Sequence, residues 1–498
     1  MLPRRPLFRP LCRLSTAAAT LRPSIPVWRT ARSYSQQHPP DAPPASATPA
    51  DPAIPDAAAR EKVAATLQAA TSQENARRTW VPPKSPIQHR IHRHIQANGP
   101  LSVAQFMKYA LLHPSEGYYA RAGAPVFGRA GDFVTAPELT QLFGEMLAVW
   151  LAHQWAALGR PPAFQLVELG PGTGVLMHDV LSALAPMQDG AIFQALRAVH
   201  LVEASATMQM RQMERLTPGT APDVDLNQFP SHAEAETEAE ADGFPITWHQ
   251  VIDTVPEGMP TLFFANEFFD ALPIYKFIKT PEGWREIMVH NNDLASTDLT
   301  TPENDILTFR LIQAPGHTRY SRFLPIASPR YASLPVGSVI EVSPESYAVA
   351  HHIAKRLRAD LGAALFVDYG SMSVPRDTLR GIQRHRMVDL FVDGADLSAD
   401  VDFGALHAAT AETCAFYGPM PQGAFLRAMG VEMRLDQGLQ AARDDAATAE
   451  RLKATVERLT GSGASDMGDR FHVVAMTSPT VATCYPFPGP VPEAPSSA

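Results

Sequence analysis

The chain has 498 residues, of which 45% are hydrophobic and 19% charged, so it can bury the core of one large domain or two ordinary ones and is too apolar for a disordered chain. It contains no run of about 18 uninterrupted apolar residues, which argues against a membrane-spanning helix. Its three cysteines, Cys12, Cys414 and Cys484, form no C-x-x-C pair, which excludes a disulfide scaffold, an iron–sulfur cluster and a cysteine-ligated zinc site.

The first 34 residues differ in composition from the rest of the chain. They contain seven arginines and no aspartate, glutamate or lysine. This composition is typical of a mitochondrial presequence, here with cleavage after Tyr34. A disordered basic tail that binds RNA or membrane is the alternative interpretation. The formal net charge of the chain is −9, and removal of the seven arginines leaves a mature protein at −16. So acidic a protein is a poor binder of nucleic acid and is compatible with a cationic protein substrate.

Residues 35–86 are rich in Pro, Ala, Ser and Asp and predict a disordered linker. Residues 87–160 predict a helical N-terminal unit. Isoleucines at positions 87, 91 and 95 are spaced as on one face of a helix, and Ser102 with Gln105 forms the capping-box pattern that begins a helix over residues 103–112. A loop over residues 131–138 then precedes a long helix over about 139–158.

Alternating strands and helices begin near residue 161. Strands are predicted over residues 164–169, 200–203, 246–251 and 261–265, and helices over 175–184 and 207–216 lie between them. This alternation predicts an α/β fold with a parallel sheet covered on both faces, whose first part spans residues 161–275. Acidic residues alternate with small ones over residues 234–242, and we interpret that run as a solvated, disordered insertion.

The pattern changes to β-hairpins after residue 275. Residues 276–345 predict a β-rich insertion or second domain, and residues 346–485 predict the second part of the core with the C-terminal elements. In this second part we expect a helix over 345–360, an apolar strand over 363–367, a helix over 449–459 and a last strand over 471–476. The proline-rich residues 486–498 predict a disordered tail.

Residues 166–174 (LVELGPGTG) are the most informative segment for function. An apolar strand leads into Gly170, Gly172 and Gly174, and a helix begins immediately after them. Glycine permits positive φ and lets a ligand approach the backbone, and the helix N-terminus presents free N–H groups. Such a loop lies at the carboxyl edge of a parallel sheet, where nucleotides bind. A purely structural glycine turn is the alternative.

The spacing of the glycines in this loop indicates which class of nucleotide it can bind. A dinucleotide fingerprint would need a small residue at Val175, and the loop has no lysine for a phosphate-binding P-loop. S-adenosylmethionine has no phosphate, but it has an ammonium group, a sulfonium and two ribose hydroxyls. Glu168 ahead of the loop can hold the ammonium, and Glu203 at the end of the next strand can hold the ribose. We therefore predict S-adenosylmethionine as the cofactor.

A second cluster of polar residues follows the fourth strand and should face the same crevice. It consists of Asn266, Glu267 and Asp270 among aromatic residues. The amide can orient a substrate and the carboxylates can hold a cation; alternatively, the aromatic rings pack in the core and the acids cap the next helix. The histidines at positions 89, 92 and 94 lack metal-ligand spacing, so we interpret them as an exposed helical face and expect no metal.

Taken in order, these motifs resemble those of the mitochondrial complex I assembly factor methyltransferases, known in bacteria as MidA-like S-adenosylmethionine-dependent methyltransferases. The resemblance covers about residues 87–476. It rests on residues 131–138 and 143–145, the glycine loop, residues 266–273, 367–370 and 380–381 with His385, and residues 400–403 and 467–471. One departure is Thr173, where family members usually have an arginine between the last two glycines.

The resemblance implies a class I (Rossmann-like) methyltransferase fold with an added domain. It also implies symmetric dimethylation of an arginine on a core subunit of the complex I peripheral arm, in the mitochondrial matrix. The expected partner is therefore a protein substrate, with no nucleic acid and no stable membrane insertion, and a homodimer is compatible with it. A non-catalytic assembly chaperone with a relic cofactor site, or methylation of another substrate, are the alternatives.

For arginine methylation we assign the catalytic role to Glu267 first and Asp270 second, with Asn266 as the residue that orients the substrate. A guanidinium has a pKa above about 12 and a delocalised lone pair, so it is a poor nucleophile. A carboxylate pair can hold it bidentately and can take up the proton that is released. Asp368 and Glu138 are the alternative acids near the crevice.

Overall fold

The computed structural model describes residues 85–120, 135–217, 238–241, 244–292, 308–374 and 376–492. The predicted presequence, nearly all of the predicted linker and residues 131–134 of the loop motif lie outside this part of the chain. In the part described, no helix is both long and apolar enough to span a membrane.

The strands and helices follow the predicted order. The strands are β1 (Leu101–Ser102), β2 (Phe164–Leu169), β3 (Leu196–Val202), β4 (Glu238–Ala241), β5 (Phe244–His249), β6 (Thr261–Asn266), β7 (Tyr275–Thr280), β8 (Gly283–Asn291), β9 (Phe309–Gln313), β10 (Val339–Val342), β11 (Gly362–Ser371), β12 (Arg380–Gln383), β13 (Arg386–Val388), β14 (Asp396–Ser398), β15 (Val401–Asp402), β16 (Ala415–Pro421) and β17 (Phe471–Thr477). The α-helices are α1 (Pro86–Asn98), α2 (Val103–Leu112), α3 (Ala136–Leu139), α4 (Gln141–Ala157), α5 (Val175–Leu184), α6 (Ala191–Ala195), α7 (Ala206–Leu216), α8 (Arg319–Phe323), α9 (Pro344–Asp360), α10 (Phe403–Thr410), α11 (Gln422–Ala428), α12 (Val431–Ala441) and α13 (Ala446–Thr460).

The largest sheet has the strand order β16-β17-β11-β6-β2-β3-β5-β4. Strands β11, β6, β2, β3 and β5 are parallel, whereas β17, β16 and β4 each join an antiparallel neighbour. From β2 the chain first adds β3 and β5 on one side and then crosses to β6 and β11 on the other. The carboxyl ends of β2 and β6 therefore frame a crevice, as expected where the winding direction reverses. The predicted parallel sheet is present.

The core lies on both faces of this sheet because successive strand residues point to opposite sides. On one face, Leu166 and Phe264 pack with residues of α4, α5 and α13. On the other face, Val167 and Phe263 pack with residues of α9 and α10. Strand β2 is buried along its whole length, as a parallel strand between two helical layers must be.

A second, antiparallel sheet contains the strands of the predicted β-rich segment. Its order is β1-β8-β7-β10, with β9 paired to β8. Strand β1 comes from the N-terminal unit, where Leu101 lies opposite Val289. Helices α1 and α2 share a core with this sheet through residues such as Phe106 and Phe309. The two segments therefore pack together, and the predicted capping box of Ser102 and Gln105 begins α2.

A third, small sheet has the order β13-β12-β14 and lies beside the crevice. In its register, Arg380 is opposite Ser398 and Ile382 is opposite Asp396. Leu397 packs into the core that α1 and α2 form with the second sheet. Because side chains alternate along a strand, Asp396 and Ser398 share the other face of β14.

Two predictions of disorder differ in part from the structure. Within the acidic run, Glu238–Ala241 forms β4 at the edge of the central sheet, paired with β5. In the proline-rich tail, Phe487 is buried and the Val491 N–H donates to the Phe416 carbonyl at 2.7 Å. In both places the main chain gains hydrogen-bond partners, which residue composition does not reveal.

Candidate active site

The glycine loop follows the carboxyl end of β2 and packs closely against Phe268 and Gln212. Gly170 has φ +62°, and a Cβ there would lie 2.8 Å from Phe268 Cδ2. Gly174 has φ +77° as the residue that precedes α5, and a Cβ there would lie 3.3 Å from Gln212 Cα. A side chain at either position would combine a strained backbone with a close contact. The geometry of the loop therefore favours glycine at positions 170 and 174.

Gln212 of α7 connects this loop to Glu203. Its Nε2 donates to the Gly172 carbonyl at 2.8 Å and to Glu203 Oε2 at 3.2 Å, and its Oε1 accepts from Trp248 Nε1 at 3.0 Å. The side chain is completely buried, so these contacts fix its orientation. The other Glu203 oxygen accepts from the Ser205 N–H at 2.8 Å. Burial raises the pKa of Glu203 to about 7, although the hydrogen bonds from Ser205 and Gln212 act to lower it.

Glu168 lies at the other end of the loop. Its side chain is only 2% exposed, and its Oε2 has no hydrogen-bond partner among the described residues. Burial raises the pKa of Glu168 well above its ordinary value, and the charge of Glu203 adds to the rise. A buried carboxyl oxygen without a partner is costly, so this position is suited to a ligand that brings a cationic donor.

The loop after β6 carries the second predicted cluster. Glu267 has φ +51°, and its N–H donates to the Val367 carbonyl at 2.9 Å, which keeps the residue in this strained conformation. Asn266 Nδ2 donates to Glu267 Oε1 at 3.1 Å. Burial and, next, the nearby Asp270 raise the pKa of Glu267 to about 8. Glu267 is therefore a carboxyl group that holds a proton near neutral pH until a cation approaches it.

Asp270 is buried beside β14, whose Ser398 hydroxyl donates to Asp270 Oδ2 at 3.0 Å. Burial raises the pKa of Asp270 to about 6, while Ser398 and the charge of Arg380 oppose the rise. No helix begins in the described chain between β6 and β7, so these acids do not cap a helix. Phe269, in contrast, does pack in the core, as the alternative interpretation of this cluster predicted for its aromatic rings.

Asp368, one of the two alternative acids, does not line the cavity. Its Oδ2 accepts from the N–H groups of Phe269 and Asp270 at 2.9 and 3.3 Å, and its Oδ1 accepts from the Tyr369 N–H at 2.8 Å. Asp368 therefore holds the loop that carries Asp270. Glu138, the other alternative, accepts a hydrogen bond from the Thr173 hydroxyl, which ties α3 to the glycine loop.

The predicted residues converge on one cavity of about 180 Å³. Seven of the eight site residues predicted from the sequence line it: Glu168, Gly170, Gly172, Glu203, Asn266, Glu267 and Asp270. The eighth, Gly174, lies between two lining residues, Thr173 and Val175. Six of the described lining residues are acids, with Glu138 and Asp396 in addition to the four predicted ones, and none is lysine, arginine or histidine. The cavity is therefore built for cationic groups.

Three residues of the site were missed by the sequence analysis. Asp396 and Ser398 reach the cavity from β14, and Tyr119 lines it from the N-terminal unit. The Tyr119 hydroxyl donates to Asp396 Oδ1 at 3.2 Å. Two polar residues two positions apart in a buried strand are the sequence signal that could have identified Asp396 and Ser398. The histidines at 89, 92 and 94 lie on α1, and no group of metal-ligating side chains occurs in the part of the chain that the structure describes.

Comparison with known proteins places this geometry in a family. A family model described as "Putative S-adenosyl-L-methionine-dependent methyltransferase" matches residues 146–420. The mouse protein named "Protein arginine methyltransferase NDUFAF7, mitochondrial" is 35% identical over 398 residues, which are 78% of this chain and 84% of the mouse protein. This chain belongs to the NDUFAF7 family of S-adenosylmethionine-dependent methyltransferases. The Drosophila melanogaster homologue is 36% identical over 393 residues, again 78% of this chain and 84% of the relative.

The predicted fold and cofactor are both confirmed. A COG1565 superfamily member from Burkholderia thailandensis, solved with S-adenosyl-homocysteine, shares the fold with a TM-score of 0.61 at 24% identity, over 82% of this chain and 99% of its own. In this chain the fold consists of a parallel central sheet with helices on both faces, together with two antiparallel sheets. The cofactor of this methyltransferase family is S-adenosylmethionine.

Proposed function

We propose that this protein transfers methyl groups from S-adenosylmethionine to an arginine of a protein substrate. The observation that carries the proposal is the cavity at the glycine loop, which is lined by six acids and, among its described residues, by no basic side chain. A methyltransferase for a carboxylate or phosphate substrate would need positive charge there. Two cations, the cofactor and a guanidinium, instead match an acidic, buried site.

Glu168 and Glu203 are the residues that we assign to the cofactor. The buried Glu168 Oε2 without a partner fits an ammonium donor, and Glu203, held by Gln212 and Ser205, fits a pair of ribose hydroxyls. Gly170, Gly172 and Gly174 provide the close backbone approach. When bound, S-adenosylmethionine supplies an electrophilic methyl group, whose bond to sulfur breaks with the electron pair left on sulfur as the arginine nitrogen forms the new bond to carbon.

Glu267 and Asp270 are the residues that we assign to the guanidinium. As a pair of carboxylates they hold two N–H groups of its planar fork, which aims one nitrogen toward the glycine loop. The attacking nitrogen loses one proton, and Glu267 accepts it as general base. Asn266 donates to Glu267 Oε1 and so fixes the direction of that carboxylate. Asp270 is fixed in the same way by Ser398.

The finer parts of the proposal follow the family resemblance. We propose symmetric dimethylation of a core subunit of the complex I peripheral arm in the mitochondrial matrix, with residues 1–34 as the presequence. The relatives' names, which include "protein arginine methyltransferase" and "mitochondrial", support an arginine substrate and a mitochondrial location. A non-catalytic chaperone is the second candidate. The six acids in one cavity argue against it, because a protein that binds neither the cofactor nor a cationic substrate there would have no use for their charge.

The direct test is methylation in vitro. Purified full-length protein would be incubated with methyl-labelled S-adenosylmethionine and complex I subunits isolated from cells that lack the protein. We expect label on arginine, identified as symmetric dimethylarginine after hydrolysis. Label on another residue type, or none with the wild-type protein, would overturn the proposal.

A further inference from the structure

Asp396, like Glu138, is an acid in the cavity to which the proposed mechanism gives no role. It lies on β14, between the second sheet and the crevice, and its side chain is 6% exposed. The Leu397 N–H donates to Asp396 Oδ1 at 2.9 Å, and the Tyr119 hydroxyl donates to the same oxygen at 3.2 Å. The carboxylate is thus held in a fixed direction by two donors from different parts of the fold.

Asp396 also interacts electrostatically with Glu267, the assigned general base. Its charge contributes to raising the pKa of Glu267, after burial and Asp270, and it raises the pKa of Tyr119. Ser398, two residues along on the same face of β14, donates to Asp270. One face of this short strand therefore reaches both the Asp270 carboxylate and the surroundings of Glu267.

We propose that Asp396 determines substrate specificity by binding the edge of the guanidinium that Glu267 and Asp270 leave uncovered, so that the site selects arginine over lysine. This inference rests on the proposed arginine methylation. A guanidinium presents five N–H donors in one plane, whereas an ammonium presents three donors around a point. The donors of an ammonium all converge on one nitrogen, whereas those of a guanidinium are spread along the edges of a plane, so a carboxylate at a separate position favours the wider, planar cation.

A second observation indicates that the cavity is built to receive donors. Besides Asp396, it is lined by Glu168 and Asn266, whose Oε2 and Oδ1 atoms are buried and have no hydrogen-bond partner among the described residues. Glu168 is nearly completely buried. These two residues lie at the carboxyl ends of β2 and β6, so residues with acceptor oxygens line the cavity from three separate strands, of which β14 is the third.

The test measures binding without methyl transfer. Acetyl-Gly-Arg-Gly-amide and acetyl-Gly-Lys-Gly-amide would be titrated by calorimetry into the full-length protein saturated with S-adenosylhomocysteine. In Asp396→Asn the amide oxygen still accepts from Tyr119 and Leu397, but the charge is lost. We expect the affinity for the arginine peptide to fall by about tenfold to a hundredfold, as for loss of a charged hydrogen-bond partner, and the lysine peptide to be little affected.

Two further variants separate specificity from folding. Tyr119→Phe keeps the charge and removes one of the donors that hold it, so we expect a smaller loss of arginine affinity. Asp393→Asn changes a nearby carboxylate that accepts from the Ser85 hydroxyl at 2.7 Å and does not line the cavity, and should bind both peptides as the wild type does. Affinity for S-adenosylmethionine within twofold of wild type confirms that each variant is folded.

The outcomes distinguish this inference from the proposed reaction. If Asp396→Asn and Tyr119→Phe both bind the arginine peptide as tightly as the wild type, the role of Asp396 is wrong even where the wild-type protein methylates arginine. If the wild-type protein binds the arginine peptide through Asp396 and yet methylates no arginine, the specificity residue stands and the proposed reaction is wrong.

Discussion

The Ser398 hydroxyl donates a hydrogen bond to Asp270 Oδ2 across 3.0 Å, although 128 residues separate the two along the chain. It joins the loop after β6 to the small third sheet. Because Asp270 is buried, this bond and the charge of Arg380 favour its ionised form against the effect of burial. The third sheet therefore helps to hold the loop that carries Asp270 in position.

Replacement of Glu267 by glutamine tests the assignment of the general base. The amide keeps the size of the side chain but cannot accept the proton, so we expect the rate to fall by roughly 2 to 4 orders of magnitude. Asp270→Asn should cost less, because it removes one contact to the guanidinium and no proton acceptor. Single-turnover methylation would measure the rate, and calorimetry would confirm that S-adenosylmethionine still binds. A Glu267→Gln protein that methylates at the wild-type rate would disprove the assignment.

The dependence of the methylation rate on pH should report the protonation of Glu267. Burial and Asp270 raise the pKa of Glu267 to about 8, and the base works only when deprotonated. We therefore expect kcat/KM to increase with pH and to level off above about pH 8. In Asp270→Asn a neighbouring negative charge is lost, so the increase should move to lower pH. A profile that is flat from pH 6 to 9 in both proteins would contradict this.

Gly172→Val separates an enzyme from a chaperone with a relic site. Gly172 has φ +52°, which valine adopts only with strain, and its carbonyl accepts from Gln212. We expect loss of S-adenosylmethionine binding, of methylation and of complex I assembly in cells. The matched control is Gly258→Val, which also has positive φ, at +87°, but has open space around it and lies outside the cavity.

If complex I still assembles in cells that carry Gly172→Val and the purified variant does not bind S-adenosylmethionine, the chaperone candidate is correct. If Gly258→Val loses cofactor binding as well, the effect is one of folding stability. Thermal unfolding of both variants would decide this.

A buried histidine pair makes stability sensitive to acid. His200 Nδ1 and His249 Nε2 are 3.0 Å apart, and His200 Nε2 faces Gln165 Oε1 at 3.1 Å. Burial is the main cause that lowers the pKa of His200 to about 3 and of His249 to about 4. The folded protein therefore favours neutral rings, and the unfolded chain binds protons first as the pH falls below about 6.5.

The free energy of unfolding should accordingly decrease as the pH falls from 7 to 5. We expect the wild type to lose about 2 kcal/mol more over this range than His200→Gln, which removes one of the two rings. Urea unfolding at both pH values measures the difference. His317→Gln, at an exposed position, serves as the control and should behave as the wild type. Equal losses in wild type and His200→Gln would contradict the account.

The sequence predicted the parts of this structure in which local pattern and tertiary environment agree. Strand β2 and helix α5 begin and end at the predicted residues because an apolar run, three glycines and an apolar helical stripe mark them without ambiguity. The same holds for the capping box at Ser102. The sequence also predicted that the glycine loop and Glu267 share one cavity, because both follow buried strands at one edge of the sheet.

The contacts that cross between distant segments could not be predicted. Asp368 comes directly after the strand predicted over residues 363–367. In the structure it lies within β11, and three main-chain N–H groups converge on its carboxylate, which makes it a support for the loop. Asp396 enters the cavity only because β14 pairs with β12, and nothing local specifies that register. Strand β4 forms from an acidic run because the edge of β5 is available to it.

The most direct test of the central claim is mass spectrometry of complex I from cells that lack the protein and are supplied with either the wild type or Glu267→Gln. We expect a peripheral-arm arginine that carries two methyl groups with the wild type and is unmethylated with Glu267→Gln. The same methylation in cells without the protein, or its full restoration by Glu267→Gln, would contradict the claim that this chain is the arginine methyltransferase.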